Sequence, residues 1–245
     1  MAGAFAAAGA RVVITGRSTD EARNRAGLPG TLDSVESELR GSGAEVLAVP
    51  ADLSKPDDLQ KLITATDERF GRCDVLVNNA ALSFLGSFLE VPSRRWLPVV
   101  QVNLLAAVRL IEAFLPGMID RGDGRIINFS SGAADTRRRG PSENPIHQLP
   151  YSATKAAIEA LSFGLANQLA GTGVSVNCVR PSVATEAVTL HAPQLLEDPG
   201  GHGGTAWARP DDFGESMRWL AEQPADYTGN LLANEDLKAL GALRQ

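Results

Sequence analysis

The chain has 245 residues, 44% of them hydrophobic and 21% charged, which is enough to bury one large core in a single domain. Its formal net charge of -6 and pI near 5.2 leave no broad basic surface, which disfavours nucleic acid as a partner. No uninterrupted apolar run approaches the ~18 residues of a membrane span, so we expect a cytoplasmic protein without a membrane partner.

Strands and helices are predicted to alternate along the chain. The apolar start ends at Gly9 and is typical of a helix end, not of a signal peptide, because no basic residue precedes it. Val/Ile/Leu-rich runs without alternation then predict strands buried on both faces of a parallel sheet. The predicted strands are residues 11–15, 44–50, 74–78, 125–130, 174–179 and 229–233, and the predicted helices are residues 32–40, 56–70, 94–121, 151–170 and 211–222. This order predicts an α/β, doubly wound Rossmann-like sheet in one domain, residues 1–245.

Glycine- and proline-rich polar stretches are expected to form surface loops. They cover residues 18–30, 132–150 and 193–210. The second contains residues 137–139, three consecutive Arg that are either solvated or paired with an acidic substrate. His191 and His202, in or near the third, have neither fixed spacing nor a third ligand, which favours a loop surface over a metal site. Cys73 and Cys178 also lack metal spacing and are expected in the core.

Residues suited to proton transfer follow the predicted strands. In chain order these are Asn78, Asn79, Ala80 and Ala81 after the third strand, Asn103 inside a long helix, Ser130 and Ser131 at the end of the next strand, and Tyr-Ser-Ala-Thr-Lys at 151–155. Residues four apart share a helix face, so we expect the Lys155 ammonium beneath the Tyr151 phenol, where its charge favours the phenolate. A free Tyr titrates near ~10, and a nearby cation makes it usable near neutral pH.

This set of motifs resembles the short-chain dehydrogenase/reductase family over nearly the whole chain. The resemblance implies that Ser131 donates a hydrogen bond to the substrate oxygen, Tyr151 exchanges the proton and Lys155 holds the nicotinamide ribose. Ser131 is preferred to Ser130 because the family uses the second residue of the pair. It also implies that Asn103 helps to hold a relay water at a helix distortion. Taken singly, these residues also fit plainer roles. Ser130 and Ser131 fit a strand end, Asn103 fits a helix-surface residue, and Tyr151 with Lys155 fits an exposed helix pair.

A nicotinamide cofactor is implied as well. The strand at 11–15 ends in Gly16 and Arg17, without the acid that suits a ribose hydroxyl, which favours NADP(H) over NAD(H). Arg17 would bind the 2′-phosphate, helped by Arg23 or Arg25. Alternatively, Arg17 is only a solvated charge at the end of the strand. The other implied cofactor contacts are Asp52, Leu53, Asn79, Ala80, Tyr151, Lys155 and Thr185.

Some positions depart from the family pattern or have a second interpretation. Asp52 is favoured as an adenine contact because capping of the following helix suits Ser54 better. Ala81 and Ser182 stand where the family has Gly, and Thr185 lies one residue short of the usual spacing.

One expected element has no counterpart in the sequence. A dinucleotide site of this kind needs a first strand and a glycine-rich turn, which bring the pyrophosphate to a helix N-terminus. The family alignment puts the last glycine of that turn about two residues before Met1. We therefore expect an N-terminally truncated form that lacks a central strand between residues 11–15 and 74–78.

Together these features predict an NADP(H)-dependent oxidoreductase that acts on a small ketone or secondary alcohol, with no metal. Apolar pocket walls are candidates at Leu82, Phe84, Leu85, Leu149 and Trp207. The family pairs subunits through the helices at 94–121 and 151–170, which implies a homodimer or homotetramer. One alternative is a non-catalytic remnant that acts only through those helices. A sugar-nucleotide epimerase or dehydratase is disfavoured because it needs a larger C-terminal region.

Overall fold

Parallel strands form the centre of the computed structural model, which describes residues 1–19, 30–135, 148–191, 196 and 207–244. The strands are β1 (Val12–Gly16), β2 (Val46–Pro50), β3 (Val75–Asn78), β4 (Gly124–Phe129), β5 (Val174–Arg180) and β6 (Leu231–Ala233). β1 pairs with β2, and the order β3-β4-β5-β6 makes a second sheet, with every pairing parallel. All six predicted strands are found, so the predicted α/β class is confirmed.

Helices cover both faces of the sheets. They are α1 (Ala2–Ala7), α2 (Leu32–Gly41), α3 (Pro56–Phe70), α4 (Ser93–Val100), α5 (Ala106–Arg121), α6 (Leu149–Gln168), α7 (Glu186–His191), α8 (Pro210–Ala221) and α9 (Asn234–Ala239). Successive side chains of a strand point to opposite faces, and β4 shows the result. Ile126 packs with Leu110 and Phe114 of α5, whereas Ile127 packs with Met217 of α8 on the other face. The short helices α7 and α9 were not predicted.

The predicted helix at 94–121 is interrupted. A π-helical turn, Gln101–Leu105, separates α4 from α5. The run Ser93–Arg121 has 29 residues and contains an 18-residue window with a mean hydropathy of 1.6, so by length and composition it matches a membrane span, which the count of uninterrupted apolar residues missed. A core helix meets the same criteria, and here Phe114 and Met118 are buried against the sheet.

β1 and β3 face one another without pairing. Between them lies a cavity of about 590 Å³, which we call the interstrand cleft. It is bounded by residues 12–15 of β1, by residues 75–78 of β3, and by side chains of α3 and α5. Cys73, half-buried, lines this cleft, whereas Cys178 is fully buried in β5.

The turn before β5 depends on glycine, and Gly173→Ala is expected to destabilise the fold. Gly173 has φ +82°, and an added Cβ would lie 1.9 Å from the Gly122 carbonyl oxygen. We expect the free energy of unfolding, from urea denaturation, to fall by at least about 2 kcal/mol through strain and this clash. Gly171→Ala is the matched control, because Gly171 has φ +80° but nothing within 4 Å. Equal losses in both variants would contradict the proposed clash.

Candidate active site

The predicted Tyr-Lys pair lies at the start of α6, above the end of β4. Lys155 is 2% exposed, and its Nζ donates to the Phe129 carbonyl oxygen at 2.6 Å. The same Nζ lies 5.4 Å from the centroid of the Tyr151 ring. The alternative of an exposed helix pair is therefore wrong for Lys155.

The two serines at the end of β4 have different environments. Ser130 is 2% exposed, and its hydroxyl donates to Glu159 Oε1 at 2.5 Å. Ser131 is half-buried; its Oγ accepts from the Ala133 amide at 3.2 Å and shares a hydrogen bond with Tyr151. The structure thus brings together Ser131, Tyr151 and Lys155, while Ser130 points into the interior.

The electrostatics of Tyr151 differ from the sequence-based expectation. Burial raises the pKa of Tyr151, and the hydrogen bond from Ser131 offsets only part of that rise. Burial also lowers the pKa of Lys155 to about 8, against a smaller opposing effect of Cys178. The expectation that Lys155 lowers the pKa of Tyr151 is wrong for this structure, because burial dominates and the ammonium donates to Phe129.

A pH-dependent stability follows from the buried lysine. The pKa of Lys155 falls from 10.5 to about 8 on folding, so between these pH values the unfolded chain binds the extra proton. Stability attributable to Lys155 therefore rises with pH in this window. We expect the unfolding free energy of the wild type minus that of Lys155→Met to rise from pH 8 to pH 10.5, measured by denaturant titration.

Two other buried groups titrate in or above this window. Burial raises the pKa of Cys73 and of Cys178 to about 12, which lowers stability above pH 9 in both proteins. The effect of Cys73 cancels in the difference, whereas Cys178 loses a minor lowering of its pKa by Lys155 in the variant. A difference that stays flat across the window would show that Lys155 is not buried as described.

Asn103 lies in the π-helical turn and is 3% exposed, so it is not a helix-surface residue. Its Nδ2 donates to the Leu82 carbonyl oxygen and to Thr154 Oγ1, each at 3.0 Å, and its Oδ1 accepts from the Leu82 amide at 2.7 Å. The predicted helix distortion is thus present at Asn103. Its amide joins the segment after β3 to α6 beside Lys155, but bonds to neither Tyr151 nor Lys155.

Predicted cofactor residues meet at the carboxyl ends of β1, β2 and β3. A cavity of about 110 Å³ is lined there by Arg17, Leu53 and Ala80, together with Gly16 and Leu82 among others. Parallel strands end at the same edge of a sheet, which is where open α/β sheets bind ligands. Asn79 and Ala80 also border the interstrand cleft.

Asp52 is held by its own loop. Its Oδ1 accepts from the Ser54 amide at 3.0 Å and from the Ser54 hydroxyl at 2.7 Å. Burial raises the pKa of Asp52, but these hydrogen bonds and the charge of Arg17 outweigh it and lower the pKa. The capping role expected of Ser54 is wrong, because Lys55 is the N-cap of α3 and no side chain caps that helix.

Thr185 is placed as a helix cap. Its Oγ1 accepts from the Val188 amide at 3.3 Å, at the start of α7. Arg23, Arg25, residues 137–139 and His202 lie outside the described residues, as does the side chain of His191. Over the chain that is described, no three His, Cys, Asp or Glu side chains are grouped to hold a metal ion.

A buried ion pair that was not predicted from the sequence lies beneath the site. Arg180 Nε and Nη2 donate to the two carboxylate oxygens of Glu159 at 2.6 and 2.7 Å, with side-chain exposures of 16% and 11%. Glu159 lies one helical turn after Lys155 and also accepts from Ser130. The sequence signal that could have revealed this pair is Glu159, an acidic residue on the same face of a predominantly apolar helix as Tyr151 and Lys155.

Comparison with known proteins gives the family. The short chain dehydrogenase family model matches residues 1–194. The chain belongs to the short-chain dehydrogenase family. Its relative named 3-oxoacyl-(acyl-carrier-protein) reductase, from Synechocystis, is 33% identical over 225 residues, which cover 91% of this chain and 83% of that protein.

Solved structures of short-chain dehydrogenases have the same fold. A metagenomic short-chain oxidoreductase in complex with NADP superposes with a TM-score of 0.70 at 30% identity, covering 95% of this chain and 88% of that one. L-Sorbose reductase from Gluconobacter frateurii, complexed with NADPH and L-sorbose, has a TM-score of 0.76 at 27% identity and the same two coverages. The relatives of this chain within the family are therefore NAD(P)-dependent oxidoreductases.

Proposed function

We propose that the protein transfers a hydride between NADP(H) and a small ketone or secondary alcohol, with Tyr151 as proton donor and acceptor. The observation that carries the proposal is the hydrogen bond between Tyr151 and Ser131 beside a buried Lys155. A phenol and a second hydroxyl that share one hydrogen bond can both reach a single substrate oxygen.

In the direction of reduction, a bound nicotinamide would supply the hydride to the carbonyl carbon. Ser131 donates a hydrogen bond to the carbonyl oxygen, which orients it and stabilises its growing negative charge. Tyr151 gives its phenolic proton to that oxygen, so that hydride and proton together convert the carbonyl to an alcohol. Lys155, with its pKa near 8, keeps its positive charge at neutral pH beside the Tyr151 ring and suits the hydroxyls of the nicotinamide ribose.

The residues at the carboxyl edge suit the two ends of a dinucleotide. Arg17 provides a cation for the 2′-phosphate, Leu53 and Ala80 provide an apolar wall, and Lys155 suits the nicotinamide ribose. Asp52 and Asn79 remain proposed adenosine contacts, and Thr185 a proposed contact near the nicotinamide. No glycine-rich turn joins a strand to a helix N-terminus within the described ranges, so we propose that a further strand and turn complete the pyrophosphate site.

Arg17→Ala tests the cofactor choice. We expect the KM for NADPH to rise about 10- to 100-fold, because one charge-assisted contact to the 2′-phosphate is lost, while the KM for NADH is little changed. Steady-state kinetics with both cofactors measure this. Arg69→Ala is the control, because Arg69 pairs with Glu45 on the surface. A wild type that prefers NADH would contradict the assignment of Arg17.

The substrate class follows from the relatives and the site walls. The names of the relatives include a 3-oxoacyl reductase and a sorbose reductase, both of which act on carbonyl compounds. Leu85 and Leu149 are 47% and 49% exposed near the site and offer apolar surface to a substrate. Oxidation of NADPH followed by absorbance against a panel of ketones tests the proposal, and a panel without turnover by a cofactor-bound protein would contradict it.

The remaining proposals concern the whole protein. We propose one domain over residues 1–245 and a cytoplasmic homodimer or homotetramer. Leu105, Val108 and Phe163 expose 47%, 37% and 36% of their surface on the π-helical turn, α5 and α6, where a subunit would cover them. Sedimentation equilibrium decides the oligomeric state.

The alternative function is a non-catalytic scaffold. The interstrand cleft and the lack of a glycine-rich turn among the described residues favour it, since both weaken pyrophosphate binding. Isothermal titration with NADPH separates the two, because a scaffold would not bind the cofactor.

A further inference from the structure

The contacts described for Ser131 lie in its own turn and on Tyr151. Ser131 follows β4 with an extended backbone, at φ -164° and ψ 155°. Its Oγ accepts from the Ala133 amide at 3.2 Å, and its carbonyl oxygen accepts from the Ala134 amide at 3.0 Å. These contacts shape the turn but do not attach it to α6. The position of the Ser131 hydroxyl relative to Tyr151 therefore depends on how the preceding residue is held.

Ser130 attaches the end of β4 to both α6 and β5. Successive side chains of an extended chain point to opposite faces, so Ser130 points inward and Ser131 towards the site. The Ser130 amide donates to the Val179 carbonyl oxygen at 2.8 Å. Its hydroxyl donates to Glu159 Oε1 at 2.5 Å and lies 3.3 Å from the Lys155 carbonyl oxygen. Ser130 is thus fixed against the turn of α6 that carries Lys155.

Glu159 is itself held in one orientation. Arg180 Nε donates to Oε1 and Arg180 Nη2 to Oε2, at 2.6 and 2.7 Å, and such a planar fork fixes the plane of the carboxylate. Oε1 is also the acceptor of the Ser130 hydroxyl. Glu159 and Ser130 are 8% and 2% exposed, so water does not compete for this hydrogen bond.

We propose that Glu159 is a positioning residue, which acts through Ser130 to hold the end of β4 so that the Ser131 hydroxyl is aligned with the Tyr151 oxygen. The effect of this alignment on turnover rests on the proposed function. A misaligned donor weakens the stabilisation of the transition state, because a displacement of about 1 Å can cost on the order of 10²-fold in rate. Cofactor binding does not depend on this alignment.

The hydrogen bond between Ser131 and Tyr151 has a spectroscopic readout. The chain has two Tyr, so ¹³C at the ring carbon that carries the phenol oxygen gives two NMR signals, which Tyr227→Phe assigns. Ser131→Ala supplies the shift that corresponds to complete loss of the hydrogen bond. Ser130→Ala is expected to move the Tyr151 signal in the same direction by at least about half as much, in protein without cofactor.

Two neutral variants isolate the acceptor. Glu159→Leu with Arg180→Leu removes the acceptor of Ser130 without leaving a buried charge, whereas Glu159→Gln with Arg180→Leu keeps an amide oxygen for it. The Leu pair is expected to shift the Tyr151 signal as Ser130→Ala does, and the Gln variant is expected to stay close to the wild type. Adding Ser130→Ala to the Leu pair is expected to change nothing further, because both act along one path.

Turnover provides a second readout. Ser130→Ala and the Leu pair are expected to lower kcat about 10-fold while the Kd for NADPH changes less than about twofold. Ser216→Ala is the matched control, because the Ser216 hydroxyl, buried on α8, donates to the Ala242 carbonyl oxygen at 2.7 Å. It removes a buried serine hydrogen bond away from the site and is expected to change neither kcat nor the Tyr151 signal.

The proposal is overturned if the Tyr151 signal keeps its wild-type position in both Ser130→Ala and the Leu pair. It is equally overturned if the Gln variant shifts the signal as far as the Leu pair, or if Ser216→Ala does so. The NMR measurement uses protein without cofactor, so a wild type that turned over no ketone would contradict the proposed function but leave this test intact.

Discussion

Tyr151→Phe is expected to lower kcat by about 10² to 10⁴-fold while the Kd for NADPH changes less than about threefold. In the proposed mechanism the phenol provides the transferable proton, and the ring without its hydroxyl still packs beside Lys155. Single-turnover oxidation of NADPH and isothermal titration measure the two quantities.

Tyr227→Phe is the matched control. Tyr227 packs edge-on against Trp219, with ring centroids 5.9 Å apart, on the face of the sheet opposite to α5. Its substitution is expected to leave kcat unchanged. If Tyr151→Phe kept wild-type turnover, Tyr151 would not be the proton donor.

Glu159→Leu is expected to lower the free energy of unfolding by about 3–5 kcal/mol, because Arg180 would keep its charge in a buried position without a partner. In the wild type the hydrogen bond with Glu159 raises the pKa of Arg180 against a smaller opposing effect of burial. Without Glu159 the guanidinium still cannot escape the penalty by losing its proton, because arginine stays protonated in proteins even without a partner. Urea denaturation at neutral pH measures the loss.

The control is the double variant Glu159→Leu with Arg180→Leu. Removing both charges leaves no unpaired ion, so much of the stability is expected to return. A double variant no more stable than Glu159→Leu alone would show that the ion pair is not the source of the effect.

The strands were predictable because their signal is local. The run in β5 is buried at all positions but the last, and such a strand shows an unbroken apolar pattern in sequence. The π-helical turn has no comparable signal. Asn103 makes its contacts with Leu82 and Thr154, which are 21 and 51 residues away, so this distortion depends on tertiary structure.

The proximity of the proposed site residues was predictable, but their electrostatics were not. Sequence order and spacing brought Ser131, Tyr151 and Lys155 together, because strand ends and a helix N-terminus meet at one edge of a parallel sheet. From spacing alone we expect the Lys155 ammonium beneath the Tyr151 phenol. In the fold, Lys155 Nζ instead donates to the carbonyl oxygen of Phe129, 26 residues away in sequence. Glu159 was missed because an acid in a helix is ordinarily solvated, and only the fold brings Arg180 to it.

The measurement that tests the central claim most directly is transfer of deuterium from NADPH labelled at the reactive carbon of its nicotinamide to a ketone, followed by mass spectrometry of the product. Natively expressed protein is predicted to give an alcohol with one deuterium for each NADPH oxidised, and Tyr151→Phe to give almost none in the same time. Binding of NADPH by the wild type without any labelled alcohol across the ketone panel would contradict the account.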